Sequence, residues 1–197
     1  MGHSAHETEI KLAVPDVATG RRLLRAAGFR IFRSRVFEAN VVFDTPTLVL
    51  RRARRLLRIR EAGGRATVTY KGPPLIAKHK TRQEFELEIA SPRTLASIFE
   101  HLGLEPAFRY EKYRTEYHQP GGAGMAMLDE TPVGVYVELE GSPRWIDRAA
   151  GVMGFKDTDY ITASYARLYL DWCRERGREP ANMVFPRRRA GAQRRAR

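Results

Sequence analysis

The stretch Glu7-Thr8-Glu9-Ile10-Lys11-Leu12 alternates ionic side chains with residues suited to an apolar environment. Successive side chains of a β-strand point to opposite faces, so Glu7, Glu9 and Lys11 project together while Ile10 and Leu12 project the other way. One face of this strand is made for ions. The alternation returns far along the chain in Val137-Glu138-Leu139-Glu140, which gives a second pair of carboxylates at the same spacing. Two such pairs on two strands form a candidate site for a divalent metal.

The same alternation governs much of what lies between. Arg58 and Arg60 share a parity opposed by Leu57 and Ile59, while Arg82, Glu84, Glu86 and Glu88 share another opposed by Phe85, Leu87 and Ile89. Lys112, Arg114 and Glu116 form a further charged row, and Lys71 ends a strand whose same-face neighbours are Thr67 and Thr69. An ordinary half-exposed sheet with polar residues facing water would produce rows of this kind. Here, however, charges of one sign stand at i and i+2, where like neighbours repel. If the strands close on themselves with the charged faces inward, the lumen cannot be dry, because an unpaired buried charge costs several kcal/mol or more. It would be a solvated tunnel awaiting a polyanion and metal ions. Two carboxylates ~4 Å apart repel by about 4 kcal/mol at an effective dielectric near 20, and a divalent cation turns that repulsion into affinity.

Turn and cap signals separate the rows. Pro15 to Ala27 carries Val17, Leu23, Leu24 and Ala27 at helical spacing and stops at Gly28. Strands are expected over Arg35 to Phe43, Leu56 to Glu61, Ala66 to Lys71 and Arg82 to Ile89, with a turn at Asp44-Thr45-Pro46 and a hairpin loop at Gly63-Gly64. Ser91-Pro92 opens a helix through His101 that Gly103 closes, with Ser as N-cap and Pro at the first helical position. Arg109 to His118 and Ala123 to Asp129 flank Pro120-Gly121-Gly122, and Val135 to Glu140 is the last strand. Ser142-Pro143 begins a short helix, and Ile161 to Arg176 makes a longer one ended by Gly177. Antiparallel hairpins with inserted helices imply an α+β fold on a barrel or strongly curved sheet.

A chain of 197 residues suits one domain, expected over residues 1–180. Hydrophobic residues at 43% and charged residues at 29% are ordinary for a soluble protein, whereas a net charge of +12 is not. Arg187, Arg188, Arg189, Arg194, Arg195 and Arg197, interleaved with Ala and Gly, read as part of a disordered basic tail over 181–197. Such a tail is either a solubilising end or a weak, sequence-blind contact for RNA or another polyanion. The one cysteine, Cys173, cannot form an internal disulfide and is expected to pack in a helix, as are Trp145 and Trp172. The scattered His3, His6, His79, His101 and His118 argue against a histidine metal cluster. With neither a signal-like apolar stretch at the start nor a run long enough to span a bilayer, a cytoplasmic location and no membrane contact are expected.

Taken in order, Glu7-x-Glu9-x-Lys11, Leu57-Arg58-Ile59-Arg60, Tyr70-Lys71-Gly72, Lys112-x-Arg114, Leu128-Asp129-Glu130 and Glu138-x-Glu140-Gly141 resemble the CYTH domain, or triphosphate tunnel metalloenzyme, superfamily. The likeness runs from about Glu7 to Trp172. It implies a closed eight-stranded antiparallel barrel with flanking helices, whose lumen binds a triphosphate together with Mg or Mn, two ions in all. In look it leans towards short bacterial members described as class IV adenylate cyclases; others of similar pattern are inorganic, thiamine or fungal-type RNA triphosphatases. By this resemblance Glu7, Glu9, Glu138 and Glu140 form the catalytic, metal-holding set, with Asp129 a further ligand or a supporting carboxylate. Oxygen donors suit Mg or Mn. Lys11, Arg58, Arg60, Lys71, Lys112 and Arg114 would grip phosphate oxygens, Arg through paired hydrogen bonds and Lys as a point charge. Arg82 and one or more of Glu84, Glu86 and Glu88 would complete the walls. Some relatives carry a lysine in the final helix near Ser164-Tyr165; this chain has none, which leaves Ser164 either donating a hydrogen bond or capping the helix.

The activity so implied is metal-dependent cleavage of a triphosphate. It is either hydrolysis or cyclisation of ATP to cyclic AMP and pyrophosphate, both of which need alignment and charge neutralisation. The rival reading is a non-catalytic polyphosphate- or RNA-binding module. Pure anion binding gains nothing from four glutamates in the site, and a mere scaffold has no use for inward charge.

Overall fold

Eight antiparallel strands close into a barrel in the computed structural model, which describes residues 3–186. Around the wall run β1 (His3–Val14), β9 (Gly134–Glu140), β8 (Met125–Thr131), β7 (Glu105–His118), β2 (Arg30–Asp44), β3 (Leu56–Ala62), β4 (Arg65–Lys71) and β6 (Lys80–Ile89). β6 then pairs back onto β1, from His3 opposite Glu86 to Glu9 opposite Lys80, and the ring is closed. A two-residue strand, β5 (Leu75–Ile76), prolongs the wall beside β6 beyond the end of β4. The expected eight-stranded barrel is present, with β2 and β7 longer than the alternation indicates.

Local chemistry sets the boundaries. Gly63 and Gly64, with φ of 57° and 79°, supply the two positive angles that a tight turn between β3 and β4 requires. Asp16 caps α1 (Val17–Ala26) by accepting from the Thr19 N–H at 2.7 Å. Ser91 and Ser142 cap α3 (Pro92–His101) and α4 (Pro143–Val152), each followed by Pro at the start. Two features depart from the sequence reading. A four-residue helix, α2 (Val49–Arg52), follows the turn at Asp44, whose buried carboxylate accepts from the Thr45, Leu50 and Arg51 N–H groups at 2.8 Å each. The last helix, α5 (Tyr165–Glu175), starts after Ser164 and not at Ile161, because Ile161 exchanges two 2.9 Å backbone hydrogen bonds with Lys11.

Outward apolar residues bury themselves under the helices. Ile10, Leu12, Leu128, Val137 and Leu139 pack with Leu24 of α1 and Ile146, Ala149 and Ala150 of α4. Phe43 and Ile59 pack with Phe99 of α3. The cluster of α5 is different, because it includes Tyr110 and Tyr136, which share a parity with the charged rows. Cys173 is buried in that cluster, as expected.

Residues 182–185, inside the segment read from sequence as a tail, bond to β7. Over Arg109 to Glu111 β7 has no β8 partner, and the chain end fills the gap: Met183 N–H donates to Arg109 O at 3.0 Å and Glu111 N–H to Met183 O at 2.9 Å. Asn182 accepts from the Arg109 N–H at 2.8 Å, Phe185 N–H donates to the Glu111 carboxylate at 3.1 Å, and Met183 is fully buried. Unpaired backbone groups on β7 are the physical reason for this docking. The arginines from Arg187 onward lie outside the described residues. Among the described residues no helix is long and apolar enough to cross a membrane.

Candidate functional site: a charged tunnel

The charged rows, apart from Glu88 and from Glu116, which pairs with Arg33 at 3.2 Å, face inward and line a cavity of about 340 Å³. Glu7, Glu9 and Lys11 come from β1, Arg58 and Arg60 from β3, Lys71 from β4, Arg82, Glu84 and Glu86 from β6, Lys112 and Arg114 from β7, and Glu138 and Glu140 from β9. Every phosphate-gripping and metal-holding residue of the sequence reading lines this cavity except Asp129. Of the three candidate acids on β6, Glu84 and Glu86 face the lumen. Glu88 does not; it borders a separate surface groove beside Gly63-Gly64.

Like charges along a strand are separated by opposite charges across it. Lys11 lies 2.9 Å from Glu138, directly opposite in register, and 3.3 Å from Glu9. Lys71 bridges Glu7 at 2.6 Å and Glu84 at 2.5 Å, and Arg60 reaches Glu86 at 2.9 Å. Arg114 bonds Glu138 and also holds Asp129 through two hydrogen bonds of 2.7 and 2.6 Å. This checkerboard relieves most of the repulsion that the rows display when read one strand at a time; Glu9 and Glu140, opposite each other in register across β1 and β9, are the exception.

Asp129 is an internal counter-ion. It is fully buried and takes bonds from Arg114, from Lys112 at 2.9 Å and from the Tyr165 hydroxyl at 2.6 Å. Burial would raise its carboxyl, but Arg114 and Lys112 hold it well below the usual range. Tyr165, at the start of α5, thus ties the helix to the cations, and its ring lies 5.2 Å from the Lys11 ammonium and 5.1 Å from that of Lys112. Ser164 both lines the cavity and caps α5, accepting from the Arg167 N–H. Tyr110 also faces inward and accepts from Arg58 at 3.1 Å, while Thr69 accepts from the same guanidinium at 3.0 Å.

The acids titrate apart. Burial pushes the Glu9 carboxyl up, but Lys11 and Lys80 outweigh it and bring it down to about 2. Glu138, raised by burial, is held well below the ordinary range by Lys11 and Arg114. Glu140 goes the other way: burial and the charges of Glu7 and Glu138 push it up to about 7. Among the cations, burial brings Lys71 down to about 8 against the pull of Glu7 and Glu9.

Two buried residues of the tunnel's ion network escape the sequence reading. Lys80, buried at the start of β6, bonds Glu9; its parity with Arg82 is a usable signal, masked by its place in the loop-like run Lys78-His79-Lys80. Glu38, buried on β2, lies 3.5 Å from Lys112 and is held down to about 2, burial being outweighed by Lys112 and Arg114. It stands alone in an otherwise uncharged strand centre, so alternation could not expose it.

A profile of the CYTH domain matches residues 5–165, most of the chain. The chain belongs to the CYTH domain family. A Methanocaldococcus jannaschii protein provisionally named an adenylate cyclase is 30% identical to this CYTH chain over 136 residues, covering 69% of it and 77% of the relative. A Vibrio parahaemolyticus structure, also provisionally named an adenylate cyclase, superposes with a TM-score of 0.70 at 19% identity, covering 84% of this chain and 98% of the other. HpAC1 from Hippeastrum, an adenylyl cyclase candidate described as having a dominant triphosphatase activity, superposes at 0.62 with 19% identity, covering 88% and 97%.

A CYTH tunnel implies a divalent metal, and the residues here fit one at one flank. Among the described residues no three His, Cys, Asp or Glu side chains converge into a ready-made cage. The reason is that Glu7, Glu9 and Glu138 already face lysine or arginine partners. Glu140 makes no ion pair among the described residues and stands crowded by Glu7 and Glu138. Carboxylate oxygens on a flank where one acid has no cationic partner suit a hard cation such as Mg or Mn.

Proposed function

We propose that this CYTH chain is a divalent-metal-dependent enzyme that cleaves a triphosphate held in its tunnel, with hydrolysis as the leading version. The observation that carries the reading is the lining itself: eight Lys and Arg side chains face six glutamates across one cavity. Lys11, Arg58, Arg60, Lys71, Lys80, Arg82, Lys112 and Arg114 would bind phosphate oxygens, and Glu7, Glu9, Glu138 and Glu140 would hold two Mg or Mn ions. When bound, the ions would neutralise phosphate charge and acidify a water. Asp129 and Tyr165 would keep Lys112 and Arg114 pre-aligned, so that little reorganisation is needed when a phosphate arrives. In hydrolysis the water oxygen bonds to the terminal phosphorus as its bond to the bridging oxygen breaks, and the leaving diphosphate is received by the cations.

Cyclisation of ATP is the second reading, and one observation favours it. Val42 and Phe108 line the tunnel and pack against the cluster of α5, a place for an organic group beyond the phosphates. Incubating the protein with ATP, inorganic triphosphate or thiamine triphosphate, each with Mg and with Mn, separates the versions. Orthophosphate without cyclic AMP supports hydrolysis, and cyclic AMP with pyrophosphate supports the cyclase. Tight triphosphate binding with no product under either metal leaves only the non-catalytic polyphosphate- or RNA-binding module. The same follows if Glu9→Gln and Glu140→Gln change neither turnover nor metal binding.

A further inference from the structure

We infer that Asp147, on the outside of the barrel, is a positioning residue for Lys80 in the tunnel; the inference rests on the triphosphate-binding reading above. β1 and β6 are paired from His3–Glu86 only as far as Glu9–Lys80, and beyond that point the closing seam has no ladder to hold it. The seam is held there by side chains instead. Asp147 of α4 accepts from Lys78 at 3.0 Å and lies 2.8 Å from His79 Nε2, both in the turn that leads into Lys80. Its Oδ1 also accepts from the Tyr160 hydroxyl at 3.1 Å, and Tyr160 precedes Ile161, whose backbone is bonded to that of Lys11 on β1. Asp147 therefore ties the β6 side of the seam to the β1 side, and Asp157, 2.8 Å from Lys78, adds a second acid on the same lysine.

Three consecutive residues divide their work across the wall. Lys78 and His79 face out to Asp147, and Lys80 turns in, 4% exposed, to bond Glu9. A side chain that deep cannot choose its own direction; the backbone entering β6 sets it. Loosening the outer tie would let the turn over residues 77–79 move and release Lys80 from its place beside Glu9. The half-exposed setting of Asp147 argues against a role in core stability, because ion pairs at such sites contribute little to folding. Its use is geometric.

The test has two arms. In metal-free buffer, Asp147→Ala is expected to weaken inorganic triphosphate binding about tenfold by calorimetry, with the melting temperature nearly unchanged, while Arg148→Ala on the same helix leaves it at the wild-type value. In a Lys80→Ala background Asp147→Ala should add nothing, because the two act through one group. Independently, acylation of Lys80 in the ligand-free protein, read by peptide mass spectrometry, should accelerate severalfold in Asp147→Ala and also in Lys78→Ala/His79→Ala. Unchanged acylation overturns the inference, as does an equal affinity loss with and without Lys80. Failure of the wild-type protein to bind triphosphate would instead overturn the functional reading, and the acylation arm would still decide the role of Asp147.

Discussion

Glu140 carries the least comfortable charge in the tunnel. Its carboxyl is raised from 4.5 to about 7 by burial and by Glu7 and Glu138, so folding favours its protonated form. The stability it contributes is complete below its unfolded value and is lost as pH rises through about 7. Glu140→Gln is therefore expected to stabilise the metal-free protein near pH 8, by on the order of 2 kcal/mol, and to leave it unchanged near pH 5. Thermal melts in chelator at the two pH values check this; equal effects at both would refute it. Asp129 is the opposite case. Asp129→Asn leaves Lys112 and Arg114 buried without their counter-ion, with an expected cost of about 3–5 kcal/mol in chemical denaturation and no loss of metal affinity. A metal ligand would give the reverse pattern. At this scale the sequence exposed any residue whose charge recurs at i and i+2, which is why Glu7, Arg58 and Glu138 were legible. Burial was not legible, so the buried ion pairs of Asp129 with Lys112 and Arg114 could not be foreseen.

Strands whose faces differ sharply in polarity were legible as elements, with ends misplaced by a few residues where β2 and β7 run on past their charged centres. Elements defined by tertiary bonds were not. α2 depends on the buried Asp44 carboxylate, β5 on the edge of β6, and the late start of α5 on the pairing of Ile161 with Lys11. The docked chain end is the same kind of miss, since Asn182-Met183 has no periodicity and follows Arg178, Glu179 and Pro180. A chain shortened to end at residue 180 is expected to lose about 2–5 kcal/mol of stability, the order of removing a fully buried Met side chain. One ending at residue 186 should melt like the full chain. If the two shortened chains melt together, the docked segment contributes nothing.

Across the whole molecule the tunnel is nearly charge-balanced while the protein carries +12, so most of the excess lies on the outside and in the Arg-rich end. On the proposed function, a triphosphate would enter by taking lysines and arginines away from their glutamates, which would then be free for metal. Triphosphate and Mg should accordingly bind with positive coupling. Saturating Mg is expected to tighten triphosphate at least about tenfold, and by reciprocity triphosphate tightens Mg by the same factor. Calorimetric titrations at fixed free metal measure both, and independent binding would sink the exchange. The closed ring also has a bearing on how the protein is made. Among the strands of the barrel β1 leaves the ribosome before the others, yet its partners are residues 80–86 on one side and 135–140 on the other. The earliest strand of the barrel is thus fully paired only when the latest one is made, and the barrel has to wait for β9 before it can shut. Sheets built from such distant partners fold slowly. Until then Ile10 and Leu12 have no wall to lie in, and a nascent chain stalled before residue 135 should be a substrate for chaperones.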